Sequence, residues 1–156
     1  MSARPLQVRL RILDQRLGTL YPLPSPATAG SAGVDLRAMI EKAHVMEPGE
    51  VFSVSAGFAM HIGDPGVCAC IFPRSGLGSK NGIVLGNLTG IIDSDYQGPI
   101  SVPLWNRSGA PFTVNPGDRI AQMVFMPVFT PKFEVCEKFP EASDRGESGF
   151  GSTGRS

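Results

Sequence analysis

The chain has 156 residues, 42% of them hydrophobic, and its 14 basic and 14 acidic side chains give a formal net charge of zero. A chain of this length and composition forms one domain that buries roughly two-thirds of its unfolded surface. Because no overall charge attracts a polyanion, we expect no nucleic acid and no membrane among its partners, and any anion site must be local. The 19 glycines and 14 prolines favour a turn-rich β protein over a helical one.

The cysteines and the N-terminus together predict a cytoplasmic protein. Cys68 and Cys70 lie two residues apart in an apolar run, and neighbours on one strand rarely reach disulfide geometry. The sequence contains no C-x-x-C pair, so a zinc site is not expected. The N-terminus lacks the apolar core of a signal peptide, and no run approaches the ~18 apolar residues of a membrane span. We therefore expect reduced, packed thiols.

Short segments of alternating apolar and polar residues predict half-buried strands. They lie at 6–12, 34–37, 51–62, 100–105 and 119–125, and the pattern of 51–62 fits either a strand pair or one bent strand. Residues 67–72 are continuously apolar, which predicts a strand buried on both faces. No helical period lasts three turns, so the predicted fold class is all-β.

Two segments carry polar residues where phosphate chemistry needs them. Asp35 faces away from Val34 and Leu36 on its predicted strand, as either a solvated or a functional carboxylate. The turn 73–80, PRSGLGSK, follows the buried strand with two glycines and the donors of Arg74, Ser75 and Lys80. Such a turn suits phosphate oxygens, and an ordinary glycine-rich surface turn is the alternative.

The segment 82–99, GIVLGNLTGIIDSDYQGP, predicts a β-hairpin, because two apolar runs flank a Gly/Asn turn. Its second strand ends in Asp93, Asp95 and Tyr96, which are placed for chemistry more than for packing. We expect the hairpin to hold a small flat ligand with Asp93 at its mouth.

Three further features remain open on the residues alone. Gln122 is polar among apolar neighbours, as an exposed residue or as a ligand donor. His44 and His61 lack a second ligand at metal spacing, which favours structural or surface roles. The Gly/Ser-rich tail 143–156 cannot build a core, and it is either a frayed end or a segment in which Phe150 stacks on a ligand.

Five segments, in this order, resemble the five motifs of the trimeric deoxyuridine triphosphate nucleotidohydrolases, the dUTPases. They are AGVDLRA at 32–38, PRSGLG at 73–78, GNLTGIIDSDY at 86–96, RIAQ at 119–122 and RGESGFGSTG at 145–154. The resemblance covers the chain from about residue 6 to the end. It implies an all-β, jelly-roll-like barrel or sandwich in residues 1–142, and a flexible arm, 143–156, that closes over a neighbouring active site of a homotrimer.

The resemblance also implies a reaction, in which dUTP and water give dUMP and pyrophosphate with Mg²⁺ as cofactor. This lowers dUTP, so that less uracil enters DNA, and it supplies the precursor of thymidylate. Asp93 would activate the water that attacks the α-phosphorus, and Arg145 would neutralise charge late in the reaction. No residue would bind Mg²⁺ directly, and Asp35 would touch it only through water or would serve the trimer core.

The implied substrate-binding residues fall into groups for phosphate, uracil, sugar and the closing arm. Asn87 and the backbone at Ile91 and Ile92 would recognise uracil, Tyr96 would exclude a 2′-hydroxyl, and Phe150 would stack on the base. The remaining implied contacts are Arg74, Ser75, Gly76, Ser101, Gln122, Gly151 and Ser152.

Three other functions compete with this one. A dCTP deaminase of similar fold would need a carboxylate near C4 of the base, and the apolar run 90–92 argues against it. A catalytically silent nucleotide-binding module would have no reason to keep Asp93, Arg145 and Phe150 together. A nucleic-acid-binding β domain is disfavoured by the zero net charge.

Overall fold

The computed structural model describes residues 6–139 and Gly146, and in this part of the chain ten strands and one turn of π-helix, Leu77–Asn81, are found. The strands, in chain order, are β1 Arg9–Ile12, β2 Gly33–Arg37, β3 His44–Met46, β4 Val51–His61, β5 Val67–Pro73, β6 Ile83–Leu85, β7 Gly90–Ile92, β8 Pro99–Asn106, β9 Phe112–Val114 and β10 Arg119–Pro127. None of the described helical residues forms a helix long and apolar enough to cross a membrane.

The strands form two four-stranded sheets and a small ribbon. The first sheet has the order β1-β4-β8-β6, the second has the order β2-β10-β5-β7, and β3 pairs with β9. Apolar side chains of both sheets meet in one core. The all-β class predicted from the sequence is confirmed, and of its two forms the structure is a sandwich with open edges.

Strand β8 shows how the alternating pattern builds this core. Ile100, Val102, Leu104 and Asn106 are all buried, whereas the residues between them are exposed or half-buried. Successive side chains of a strand point to opposite faces, so every second residue enters the sandwich. Asn106 is accepted there because its Nδ2 donates to the carbonyl oxygens of Met46 and Ala110, at 3.0 and 2.9 Å.

Strand β4 resolves the choice left open for residues 51–62, because it is one bent strand. Its pairing with β8 shifts register between Ser55 and Ala59. Gly57 lies in this bulge with φ of 79°, a left-handed conformation that favours glycine. A Cβ at Gly57 would lie 2.5 Å from Met39 Cγ, so the bulge also needs the missing side chain for packing.

The predicted hairpin at 82–99 is wrong. Strand β6 pairs with β8 in the first sheet, whereas β7 pairs with β5 in the second. The turn between them carries the chain from one sheet to the other, with Leu88 at a φ of 64°. Two short apolar runs around a Gly/Asn turn have the same pattern in both arrangements, and only the partners of each run distinguish them.

Candidate active site

The first group of site residues comes together at one end of the second sheet. Strand β10 lies between β2 and β5, and Gln122 stands opposite Asp35 on one side and Phe72 on the other. The loop that follows β5 begins beside them. These segments line a cavity of about 330 Å³ formed by Asp35, Arg74, Ser75, Gly76 and Gln122. All four residues predicted to hold phosphates therefore meet Asp35 in one place; we call these five the phosphate cluster.

Asp35 pairs with two arginines, one in this cluster and one beside it. Its Oδ1 accepts a hydrogen bond from Arg74 Nε at 2.8 Å, and its Oδ2 pairs with Arg119 Nη1 at 3.2 Å. Two guanidinium groups and one carboxylate leave a local charge of about +1 in a chain whose net charge is zero. Among the described residues no partner is found for the Nη atoms of Arg74, so these donors remain for an anion.

Gln122 holds the loop in place. Its Nε2 donates to the carbonyl oxygen of Pro73 at 3.0 Å, which ties β10 to the start of the loop. The loop then closes on itself, because Gly78 N donates to the Arg74 carbonyl at 2.9 Å. Gln122 is half-buried and not fully exposed. One N–H of its amide is used by Pro73, the second N–H has no partner among the described residues, and its role as a phosphate ligand stays a prediction.

The second group of residues follows β7. Asp93, Ser94 and Asp95 line a cavity of about 490 Å³, together with His61, Gly63, Pro65, Val67, Cys68 and Val128. Asp93 is exposed. The backbone here is fixed by two hydrogen bonds, from Gly63 N to the Ser94 carbonyl at 2.9 Å and from Tyr96 N to the Asp93 carbonyl at 3.2 Å. An ionised carboxylate on a fixed turn, open to water, can act as a general base.

Tyr96 lies folded back over Gly98. Its hydroxyl donates to the Pro99 carbonyl at 3.0 Å, and a Cβ at Gly98 would lie 2.6 Å from Tyr96 Cζ. Tyr96 is 43% exposed, so part of its side chain is open to solvent three residues after Asp93. Glycine at 98 is what permits this position of the ring.

The residues expected to recognise uracil occupy the turn and strand β7. Asn87 lies at the tip, and its Nδ2 would be 3.7 Å from a Cβ at Gly90. Ile92 is half-buried against the core, whereas Ile91 is 67% exposed. Ser101 is in another place: it is exposed on β8, opposite Ser55 in the first sheet, and lines neither cavity. Arg145, Phe150, Gly151 and Ser152 lie outside the described residues.

The two groups lie at opposite ends of β5 within one chain. Arg74 follows Pro73 at one end, whereas Asp93 follows Ile92, which pairs with Ala69 near the other end. Five to six residues of strand separate them, which corresponds to about 17–20 Å. The two cavities share no lining residue. Within one copy of the chain, Arg74 and Asp93 therefore belong to two separate cavities.

Sequence reasoning gave no role in the site to three residues that the structure places at one of these cavities or beside it. Arg119 pairs with Asp35, and His61 and Cys68 line the cavity of Asp93. Arg119 directly precedes the apolar run that contains Gln122. Its place near a predicted ligand was the one signal in the sequence that could have indicated a role in the site. Nothing in the sequence indicates that His61 or Cys68 lies near Asp93, because their proximity comes from strand pairing.

Comparisons with known proteins show the family to which the chain belongs. The dUTPase family model matches residues 20–154. A deoxyuridine 5′-triphosphate nucleotidohydrolase of Tolumonas auensis is 58% identical over 149 residues, which are 96% of this chain and 98% of that protein. One of Glaesserella parasuis serovar 5 is 58% identical with the same coverage. Among solved structures, a mutant dUTPase of Staphylococcus bacteriophage 80alpha with dUpNHpp superposes with a TM-score of 0.82 at 25% identity, covering 95% of this chain and 98% of that one.

Proposed function

The chain belongs to the dUTPase family of hydrolases, and on this premise we propose that it hydrolyses dUTP to dUMP and pyrophosphate. The reaction lowers dUTP, which limits uracil incorporation into DNA, and yields dUMP for thymidylate synthesis. The observation that carries the proposal is the phosphate cluster: a guanidinium, a hydroxyl and an amide line one cavity, and Arg119 pairs with the Asp35 carboxylate beside it, in a molecule whose net charge is zero. A triphosphate is the ligand that this local positive charge suits.

In the proposed mechanism, Asp93 takes a proton from a water molecule as that water attacks the α-phosphorus. The bond to the bridging oxygen breaks, and pyrophosphate leaves. General-base help of this kind contributes typically 10²–10⁴-fold. Because phosphoryl transfer depends mainly on positioning and charge stabilisation, Arg74 and Ser75 would hold the phosphates and Arg145 would neutralise charge late in the reaction.

Base and sugar selection are proposed to come from the segment between β6 and the end of the Asp93 turn. Asn87 and the backbone at Ile91 and Ile92 would recognise the edge of uracil and leave no room for the methyl group of thymine. Tyr96 would lie under deoxyribose and exclude a 2′-hydroxyl. Phe150, from the closing arm, would stack on the base, with Gly151 and Ser152 beside it.

The proposed cofactor is Mg²⁺, and the donors present fit one particular way of holding it. Within residues 6–139 and Gly146, no group of three or more His, Cys, Asp or Glu side chains is placed to hold a metal ion. Mg²⁺ commonly keeps several waters and binds through one or two carboxylates plus substrate phosphates. Asp35, in the phosphate cluster, is the carboxylate that would meet its water shell. When bound, the ion would neutralise charge on the phosphates.

We also propose the homotrimer, with each active site built from more than one subunit. The separation of about 17–20 Å between the two groups supports this, since a neighbouring copy must bring Asp93 to the phosphate cluster. The end of the described chain adds an argument from burial. Phe129, Phe133 and Phe139 are 89%, 88% and 87% exposed. Such an apolar segment is typical of one that packs on another copy. The predicted cytoplasmic location stays a prediction.

The first test is pyrophosphate release with Mg²⁺ from dUTP, dTTP, dCTP and UTP in parallel. We expect release from dUTP alone. Ammonia from dCTP without pyrophosphate would indicate a deaminase instead, and tight dUTP binding without any product would indicate a silent nucleotide-binding module.

The Asp93→Asn variant tests the proposed base. We expect turnover to fall by about 10²–10⁴-fold while dUTP binding, measured by calorimetry, is kept. The amide keeps the shape of the side chain but cannot accept the proton. Asp95→Asn is the matched control, because it removes a charge from the same turn. Near-normal turnover of the Asp93 variant would refute the proposed role.

Removal of residues 143–156 tests the arm. We expect turnover to be crippled and the melting temperature of the assembly to stay nearly unchanged, because the Gly/Ser-rich composition has almost no apolar surface to bury. A large loss of melting temperature, measured by calorimetry, would instead give the segment a structural role.

A further inference from the structure

Two thiols lie in contact on β5. Cys68 and Cys70 are two residues apart, so they share one face of the strand, while Ala69 and Ile71 point into the core. Their Sγ atoms are 3.8 Å apart, and both cysteines are free. The third cysteine, Cys136, is exposed. The pair is thus a vicinal dithiol, with the third thiol as a reference on the same molecule.

The two thiols differ in their surroundings. Cys68 is half-buried and lines the cavity of about 490 Å³ that also contains Asp93. Cys70 is only 7% exposed and lies opposite Val124 and Ile91 in the neighbouring strands. Burial raises the pKa of the Cys70 thiol, and its hydrogen bond with Cys68 adds to this. A dissolved oxidant therefore reacts with the more accessible Cys68 first, and the buried Cys70 stays a protonated thiol.

We propose that this dithiol is a redox-sensitive modification site, at which hydroperoxides form a reversible disulfide between Cys68 and Cys70 that stops turnover. In the first step, the Cys68 sulfur displaces water from hydrogen peroxide and becomes a sulfenic acid. In the second step, the Cys70 sulfur attacks the Cys68 sulfur, and the sulfenic hydroxyl leaves with the Cys70 proton as water. The two thiols lose two protons and two electrons, and one peroxide is reduced to two waters.

The bridge must deform the strand. Neighbours on one face of a strand are about 6.6–6.8 Å apart along it, which is the upper limit of the Cα separation in disulfides. Closing the sulfur pair from 3.8 Å to a bond of about 2 Å therefore pulls β5 together. Cys70 is in register with Ile91 and Ala69 with Ile92, so the strain reaches the residue before Asp93. Strained disulfides are easily reduced, which makes this one reversible.

The effect on turnover depends on the proposed function, whereas the chemistry does not. The experiment therefore has two readouts on the intact protein treated with hydrogen peroxide and then freed of it. Trypsin separates the thiols, because peptide 43–74 contains Cys68 and Cys70 and peptide 133–138 contains Cys136. After alkylation of the remaining thiols, we expect peptide 43–74 to lack both alkyl groups and to weigh two hydrogens less. Turnover of dUTP should fall on the order of 10²-fold, as for a small misplacement of a catalytic group, and dithiothreitol should restore it.

Three variants separate this site from general oxidation. Cys136→Ser should respond as the natural chain does. Cys68→Ala should hydrolyse dUTP at the same rate before and after peroxide treatment, and its Cys70 should stay reduced. Cys70→Ala should stop at the Cys68 sulfenic acid, which dimedone traps.

Other results would overturn parts of this proposal. Bridging of Cys136 to either thiol, or only sulfinic and sulfonic acids at Cys68, would overturn the proposed disulfide. Full turnover by the bridged protein would overturn its regulatory effect. If the untreated protein hydrolysed no dUTP, the proposed function would fail, and the mass of peptide 43–74 would still decide whether the disulfide forms.

Discussion

At the scale of single residues, Gly98 controls where Tyr96 lies. A Cβ at position 98 would come within 2.6 Å of Tyr96 Cζ, which is closer than packed carbon atoms approach. The φ of Gly98 is not positive, so the backbone itself accepts alanine. In Gly98→Ala the ring must therefore move, and its hydrogen bond to Pro99 is lost.

If Tyr96 excludes the 2′-hydroxyl, Gly98→Ala should relax the choice between dUTP and UTP. We expect the ratio of kcat/KM for the two nucleotides to fall about tenfold or more, which corresponds to about 1.4 kcal/mol. Gly109→Ala is the matched control, since nothing lies within 4 Å of its added Cβ. An unchanged ratio in a folded Gly98 variant would mean that Tyr96 does not select the sugar.

For single residues, the sequence predicted which side chains suit phosphate binding better than it predicted which side chains contact one another. Arg74, Ser75, Gly76 and Gln122 were expected to hold phosphate, and the structure brings them to one cavity. From the sequence, Asp35 was either a solvated or a functional carboxylate. Its ion pairs with two arginines show that it is not simply solvated. Those partners lie 39 and 84 residues away. Contacts of that range depend on strand order, which alternation does not encode.

At the scale of elements, strand periods were predicted well and strand pairings were not. The alternation of β8 follows from its local pattern. For β4 the sequence left open a strand pair or one bent strand, and the register shift around Gly57 shows the bent strand. The wrong hairpin joined β6 to β7, although each finds its partner in a different sheet. A turn sequence sets local backbone angles, and the burial available on either side then decides which strands pair.

A pH-dependent contact joins β3 to the turn between β3 and β4. His44 Nε2 lies 2.6 Å from Glu50 Oε1, and the His44 ring stacks on Phe52 at 3.9 Å. The hydrogen bond with His44, and then the one from Glu47 N, lower the pKa of Glu50. A lowered pKa in the folded state stabilises the protein above the ordinary pKa of glutamate, about 4.3. This stabilisation disappears as the pH falls through the folded value.

Glu50→Gln should therefore lower the melting temperature slightly near neutral pH. The difference from the natural chain should shrink as the pH falls below about 4, as measured by calorimetry from pH 3 to 6. Glu47→Gln, in the same turn, is the control and should show no such convergence. A difference that stayed constant over this range would assign the effect to packing and not to the charge of Glu50.

At the scale of the whole molecule, the distance along β5 supports the proposal that more than one chain builds each site. Arg74 and Asp93 lie about 17–20 Å apart in one copy, whereas a single dUTP molecule must touch both in the proposed mechanism. The sequence could not predict this, because both residues belong to motifs that resemble parts of one active site. Only the antiparallel pairing of β5 with β7 places them at opposite ends of a strand.

Mixing two inactive variants tests the shared site. In Arg74→Ala the phosphate cluster is damaged and Asp93 is intact, and in Asp93→Asn the reverse holds. If each site takes the cluster from one subunit and Asp93 from another, subunit exchange at equal concentrations makes about a quarter of the sites complete, because each correct half is drawn with probability one half. We expect pyrophosphate release from dUTP to rise to about a quarter of the natural rate.

The control for this mixture pairs two lesions in the same cluster. Arg74→Ala mixed with Gln122→Ala should give only the average of the two separate rates, because both residues line one cavity of one chain. A site contained within a single chain predicts no recovery in either mixture, even after exchange is verified by mass spectrometry of the intact assembly. Recovery only in the mixture that combines a cluster lesion with the Asp93 lesion would therefore establish that the 17–20 Å gap is closed by a neighbouring copy.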